Sequence, residues 1–152
     1  MSNYTATIRW TRSTDESFAE GRYSRAHEWA FDGGAVVPAS ASPHIVPAPY
    51  SDAGGVDPEE AFVASLSSCH MLFFLDFAKR AGLVVDSYID EAEGVLEKRA
   101  DGKMAMTRVT LRPKVEWGGE APDAAGLADL HHKVHEACFI ANSVTSEVVI
   151  EH

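Results

Sequence analysis

The chain is 152 residues long, the ordinary size of one domain and enough to bury a continuous core without disulfide staples. Against 13 Lys and Arg stand 23 Asp and Glu, a formal charge of −10 with no basic patch, which argues against nucleic acid and anionic membrane surfaces as partners. The opening MSNYTATIRW lacks a basic region followed by an apolar stretch, and the most apolar segment reads as too short and interrupted to span a bilayer, so a cytoplasmic location with reduced thiols is expected.

Tyr4, Ala6, Ile8 and Trp10 alternate with polar residues, which predicts an opening β-strand. Arg22 to Phe31 predicts a second, ended by the turn signal Asp32-Gly33-Gly34, and Ala35 to Ala41 a short third. From Ser42 to Gly55, Pro43, Pro47 and Pro49 disfavour helix and central strand, so this stretch is a long loop, functional or wrapped on something. Asp57 as N-cap, Pro58 at the first helical position and Glu60 at N3 mark a helix start. The helix runs past Lys79 and Arg80 to a stop at Gly82; its middle is apolar on nearly every face, which calls for burial all round, under a sheet or a second subunit. Leu83 to Glu97, with a bulge at Gly94, and Thr107 to Trp117 read as strands flanking an Asp101-Gly102 hairpin signal, and Pro113 argues for an edge or a break. Ala124 to Cys138 reads as a second helix, and the β-branched run Val144 to Ile150 as a closing strand. No repeat or linker interrupts the chain, so residues 1–152 are expected to form one α+β domain.

The chemistry centres on two cysteines, Cys69 and Cys138, each in an apolar helical segment with histidine nearby. A cysteine so placed is by default a small core hydrophobe. Ser67-Ser68-Cys69-His70, however, sets polar groups into the middle of a greasy helix, where each needs a partner or costs about 1 to 3 kcal/mol. Cys138 precedes Phe139-Ile140-Ala141-Asn142-Ser143, where helix gives way to strand, and an element end offers a resolving thiol the freedom to approach its partner. Peroxide reduction asks for such parts: an activated thiolate, a second cysteine to trap the sulfenic acid, and an arginine to stabilise charge. Arg22 and Arg25 are the candidates for that arginine, with Glu59 or Glu60 to hold it.

The run DPEEAFVASLSSCHMLFFL resembles the Asn-Pro-Glu-Glu/Gln-Leu segment leading to the peroxidatic cysteine of the OsmC/Ohr family of organic hydroperoxide reductases, and VHEACFIANSV is similar to the family's His-x-x-Cys-Pro-x-Ser segment. The resemblance covers nearly the whole chain. It implies an OsmC-like α+β fold with antiparallel and mixed sheets wrapped around a long buried cysteine-bearing helix, in an intertwined homodimer. It further implies Cys69 as peroxidatic, Cys138 as resolving, Glu59 as the carboxylate pairing with an arginine, and Arg25 as that arginine with Arg22 as substitute. The implied substrate is an organic hydroperoxide and the implied reductant a small dithiol such as a dihydrolipoyl group, with no cofactor or metal. Phe139 stands where the family has proline, and Phe62, Phe73, Phe74 and Phe139 are candidates to line an apolar channel. Along an unbroken helix the ten residues from Glu59 to Cys69 rise about 15 Å, so Glu59 acts only by anchoring the arginine.

Three rivals stand beside this reading. His131, His135 and Cys138 recur at i, i+4 and i+7, and with His70 or Cys69 offer a tetrahedral metal site, against which His131 and His132 read as a solvated helix face. A catalytically silent stress-response or lipid-binding dimer of the same fold is another. A Cys69/His135 hydrolase is the third, but nothing in the chain resembles a nucleophile elbow.

Overall fold

Local signals at its two ends fix the long helix in the computed structural model, which describes residues Met1–His152. Helix α1 spans Pro58–Arg80. At its start the Asp57 carboxylate accepts from the Glu60 N–H at 2.8 Å, while Glu60 Oε2 accepts from the Asp57 N–H at 3.2 Å, a reciprocal capping box. At its end Gly82, at φ +76°, lets the Leu83 N–H reach the Ala78 carbonyl and its own N–H the Lys79 carbonyl, both at 3.0 Å. That is the left-handed glycine termination its sequence position predicts.

Two compact units make up the chain, Met1–Ala61 and Phe62–His152. The first holds an antiparallel sheet of β1 (Thr7–Arg9), β2 (His27–Ala30) and β3 (Val36–Ala39), in that order. The proline-rich segment after β3 is tied back to it: Ser40 Oγ accepts from the Asp52 N–H at 2.9 Å, and Val56 pairs in parallel with Ala39. It is thus a wrapped loop held by its own strand.

In the second unit the expected strand Leu83 to Glu97 divides into β4 (Val85–Asp90) and β5 (Glu93–Lys98), and the expected strand Thr107 to Trp117 into β6 (Met104–Leu111) and β7 (Pro113–Trp117). Arg112 stands at the division. Its N–H donates to Asp90 Oδ1 at 2.6 Å, and its guanidinium reaches Glu93 at 3.2 Å and Glu151 at 3.1 Å, so the chain changes sheets there, with Pro113 opening the new strand. β4 pairs with β7; β5, β6 and β8 (Glu147–Ile150) form a second sheet in which β8 runs parallel to β6. The bulge expected at Gly94 lies instead on the partner strand: Val95 pairs with Arg108 and Leu96 with Met106, which leaves Thr107 of β6 as the extra residue. Gly94 serves a different purpose: a Cβ there would lie 2.5 Å from both Val63 Cγ2 and Met106 Cε, so its bareness lets the strand close on α1. Gly94→Ala is expected to cost about 1 to 3 kcal/mol through overpacking, read as a lower urea midpoint at unchanged slope.

Helix α2 covers Ala124–Ala137, with Asp123 as N-cap accepting from the Gly126 N–H at 2.7 Å. α1 packs on both sheets of its unit. Leu66 joins Val109 and Leu111 in one core cluster, while Phe74 and Ala78 join Leu130 and Val134 in another. Its buried stripe is Leu66, His70, Phe74 and Ala78, four residues at helical spacing, whereas Leu72 is 60% exposed. The expectation of burial all round is therefore corrected for the single chain: one face is core and another stands open. A second correction concerns length: at 23 residues α1 has the length and apolar composition to cross a bilayer, although here its stripe is packed in protein core.

Candidate active site

Cys69 lies halfway along α1, half-buried, one residue before the core-facing His70. Of the polar residues around it, Ser67 Oγ donates to Asp90 and Ser65 Oγ to the Phe62 carbonyl within the helix, while Ser68 is exposed. Cys138 forms the C-cap of α2, its backbone extended and its N–H donating to the Val134 carbonyl at 2.9 Å. It is fully buried. Both cysteines are free thiols, and Cys69 lies near enough to act on the ionisation of Cys138. Burial pushes the Cys138 thiol up to about 11, with the backbone N–H groups of Ala141 and Ile140 pulling it down and the Cys69 thiol raising it. Cys138 is therefore protonated at neutral pH. The element end that holds it is firmer than the sequence suggests: Asn142 donates to the Cys138 carbonyl at 3.0 Å and through its side chain to the Glu136 carbonyl at 3.1 Å.

Beside the thiols, Phe139 is 70% exposed and meets Phe73 edge to face, centroids 4.9 Å apart. Phe73 follows Cys69 by one helical turn, so this aromatic pair flanks both sulfurs. Phe74 is different. It is completely buried and belongs to the core, and Phe62 packs in the other cluster, so neither lines an open channel.

In the first unit the arginine and carboxylate do not pair. Arg25 Nη1 donates to the Gly21 carbonyl at 2.8 Å and the Tyr23 carbonyl at 2.6 Å, and its guanidinium sits 3.6 Å over the Tyr23 ring. Arg22 reaches only Glu20, at 3.9 Å. The expected Arg25–Glu59 ion pair is thus absent within the chain, because the turn that Gly21 makes at φ +72° presents its own carbonyls to the fork.

The histidines correct the metal reading. His131 is buried rather than solvated, and its Nδ1 lies 2.9 Å from His70 Nε2 in a hydrogen bond between α2 and α1. No three His, Cys, Asp or Glu side chains converge in a metal-binding group, so the proposed His131, His135 and Cys138 set is not assembled. Desolvation lowers both His70 and His131 to about 4, with His135 adding to the fall at His70, and His70 and His152 at His131. A folded-state value below the usual 6.5 means the unfolded chain takes up protons first as pH drops. Stability is accordingly expected to decline on acidification from about 6.5 to about 4, and His70→Gln to flatten that decline. Urea unfolding near pH 7 and near pH 5 checks this. Nothing in the order of residues brings His70 and His131 together, since 61 positions separate them.

A family model described as OsmC-like protein matches residues 51–152. Among solved structures, an OsmC-like protein of unknown function from Vibrio cholerae O1 biovar eltor is similar at 53% identity and a TM-score of 0.97, with 99% of each chain covered. The organic hydroperoxide resistance protein OhrB of Bacillus subtilis is 22% identical, with 97% of each chain covered and a TM-score of 0.68. An organic hydroperoxide resistance protein OsmC from Legionella pneumophila is 16% identical over 99% of this chain and 96% of that one, with a TM-score of 0.67. The last two likenesses establish the fold alone. No curated protein matches the sequence.

Proposed function

The chain belongs to the family of OsmC-like proteins, and from that premise we propose that it is a thiol peroxidase that reduces organic hydroperoxides to alcohols, with Cys69 peroxidatic and Cys138 resolving. One observation carries the reading: the two cysteines of the sequence, 69 positions apart, come together as neighbouring free thiols, near enough for Cys69 to raise the Cys138 thiol. Cys69 is the more accessible of the two. Cys138, buried and protonated, suits the second step.

The chemistry balances with these two residues. The Cys69 thiolate attacks one peroxide oxygen, the O–O bond breaks, and the alkoxide leaves and takes a proton to become the alcohol, with Cys69 as sulfenic acid. The Cys138 sulfur then displaces the hydroxyl from Cys69, which departs with the Cys138 proton as water and leaves a disulfide. A small dithiol, such as a dihydrolipoyl group, restores both thiols by exchange. The exposed Phe139 and its neighbour Phe73 favour substrates with an apolar body over hydrogen peroxide. Arg25 and Glu59 keep their family-implied parts as thiolate stabiliser and anchor on one condition: the guanidinium must exchange the Gly21 and Tyr23 carbonyls for Glu59. A homodimer is part of the proposal, since the open face of α1, with Ala64, Ser65, Ser68 and Leu72 exposed, suits close approach of a second copy. The cytoplasm, where small dithiols keep both cysteines reduced, is the proposed location.

Intact mass and alkylation before and after one equivalent of an organic hydroperoxide test the reading. Conversion to a Cys69–Cys138 disulfide with one alcohol released is the expected result. Two thiols that survive untouched would leave a catalytically silent dimer of the same fold as the better description.

A further inference from the structure

The two helices that carry the thiols are joined by a polar contact that the peroxidase chemistry does not use. His70 follows Cys69 directly, on the buried stripe of α1, and His131 precedes Cys138 by seven residues, two turns, on the same face of α2. Their rings are nearly parallel, 12° apart, and meet edge to edge with centroids 5.2 Å apart, and His131 is further packed by Phe74 at 4.7 Å. A hydrogen bond between two neutral imidazoles needs one nitrogen to donate and the other to accept, which fixes ring orientation as well as distance. His131 has no alternative partner, because its Nε2 is buried without one. Sliding α2 along α1 would therefore break the bond and leave two buried nitrogens unpaired.

We propose that the His70–His131 hydrogen bond is a clasp that sets the register of α2 on α1 in which Cys138 reaches Cys69. Both histidines are positioning residues; neither is asked to touch the peroxide. The inference rests on the reading of Cys69 and Cys138 as a redox pair, yet it concerns their mutual approach and not the oxidant. It also makes disulfide formation acid-sensitive: one proton is tolerated, because an imidazolium still donates to its neutral partner, but once both rings are protonated no acceptor remains. The other titratable groups facing the pair are His135 on α2 and His152 beyond β8, both of which oppose further positive charge. From the sheet side, Tyr88 of β4 packs on Phe74 and is kept neutral, held above the usual phenol range by burial and by Asp90.

The test is the equilibrium of the full-length protein with a glutathione redox buffer, in which two protein thiols and oxidised glutathione give the Cys69–Cys138 disulfide and two reduced glutathiones. The ratio yields the effective concentration of one thiol for the other. His131→Leu, which keeps bulk and loses the bond, is expected to lower that value about tenfold or more. His131→Asn presents an amide where Nδ1 stood. It is expected to stay near the native value and to lose the decline that the native protein shows as acidification to about 4 and below charges both rings. A His131→Leu protein equal to native overturns the clasp. If His131→Leu does not fold, the asparagine variant decides alone: a loss in effective concentration, or an acid response as steep as native, overturns it. The peroxidase reading fails separately, in a protein that forms the disulfide with glutathione but consumes no hydroperoxide.

Discussion

Replacing Cys69 by serine is expected to lower the rate of organic hydroperoxide reduction by at least about three orders of magnitude, whereas Cys138→Ser is expected to leave the first turnover intact. The asymmetry follows from where the sulfurs sit. Cys69 is half-buried in the middle of α1, beside the exposed Phe139 and its partner Phe73, while Cys138 is sealed at the end of α2. A serine hydroxyl at position 69 cannot form the thiolate that attacks the O–O bond, so no later step is reached. With serine at 138 the attack proceeds, but the sulfenic acid has no internal trap and climbs to the sulfinic acid under excess peroxide. Stopped-flow consumption of a single equivalent, followed by mass analysis of the 69-containing peptide, reads both arms. A Cys138→Ser protein as inert as Cys69→Ser in that single turnover would reverse the assignment of roles.

How much of this was legible in the sequence depends on the range of the interactions that fix each feature. The limits of α1 were readable because the Asp57 and Glu60 capping pair and the Gly82 stop act over three to five residues. The nearness of the two thiols was suggested by the helix end at Cys138 and made specific by the family resemblance, since periodicity does not say what lies opposite that end. The division of two expected strands at Asp90 and Arg112 escaped a period-2 reading, because alternation continues across a point where the chain passes between sheets; the lone Pro113 was its trace. The Arg25–Glu59 pair is not made within the chain for a local reason, the carbonyls of the turn at Gly21 competing for the same guanidinium. The His70–His131 bond had no signal beyond two histidines in apolar surroundings, which solvent exposure explains as readily for His132 as it fails to for His131.

The same distinction between one buried face and one open face of α1 gives the largest expected effect on stability. Phe74 is fully enclosed and joins three elements: its ring lies 4.7 Å from His131 on α2, 5.4 Å from Tyr88 on β4 and 6.0 Å from Trp117 on β7. Truncation to alanine removes the contacts that tie helix to helix and helix to sheet, and neighbours from three rigid elements cannot all relax into the gap. Phe74→Ala is expected to cost about 3 to 5 kcal/mol, a fall in Tm of roughly 10 to 15 °C for a chain of this size. Leu72 sits on the same helix two residues away, yet it is 60% exposed in the single chain. For an isolated protomer Leu72→Ala is therefore expected to change stability by no more than about 0.5 kcal/mol. In the proposed homodimer the open face of α1 is covered, and the same truncation then lowers Tm in a manner that depends on protein concentration. Thermal melts of both variants at two widely separated concentrations measure the core and the interface in one experiment: Phe74 reports the fold of each chain, and Leu72 reports whether a second chain lies against it.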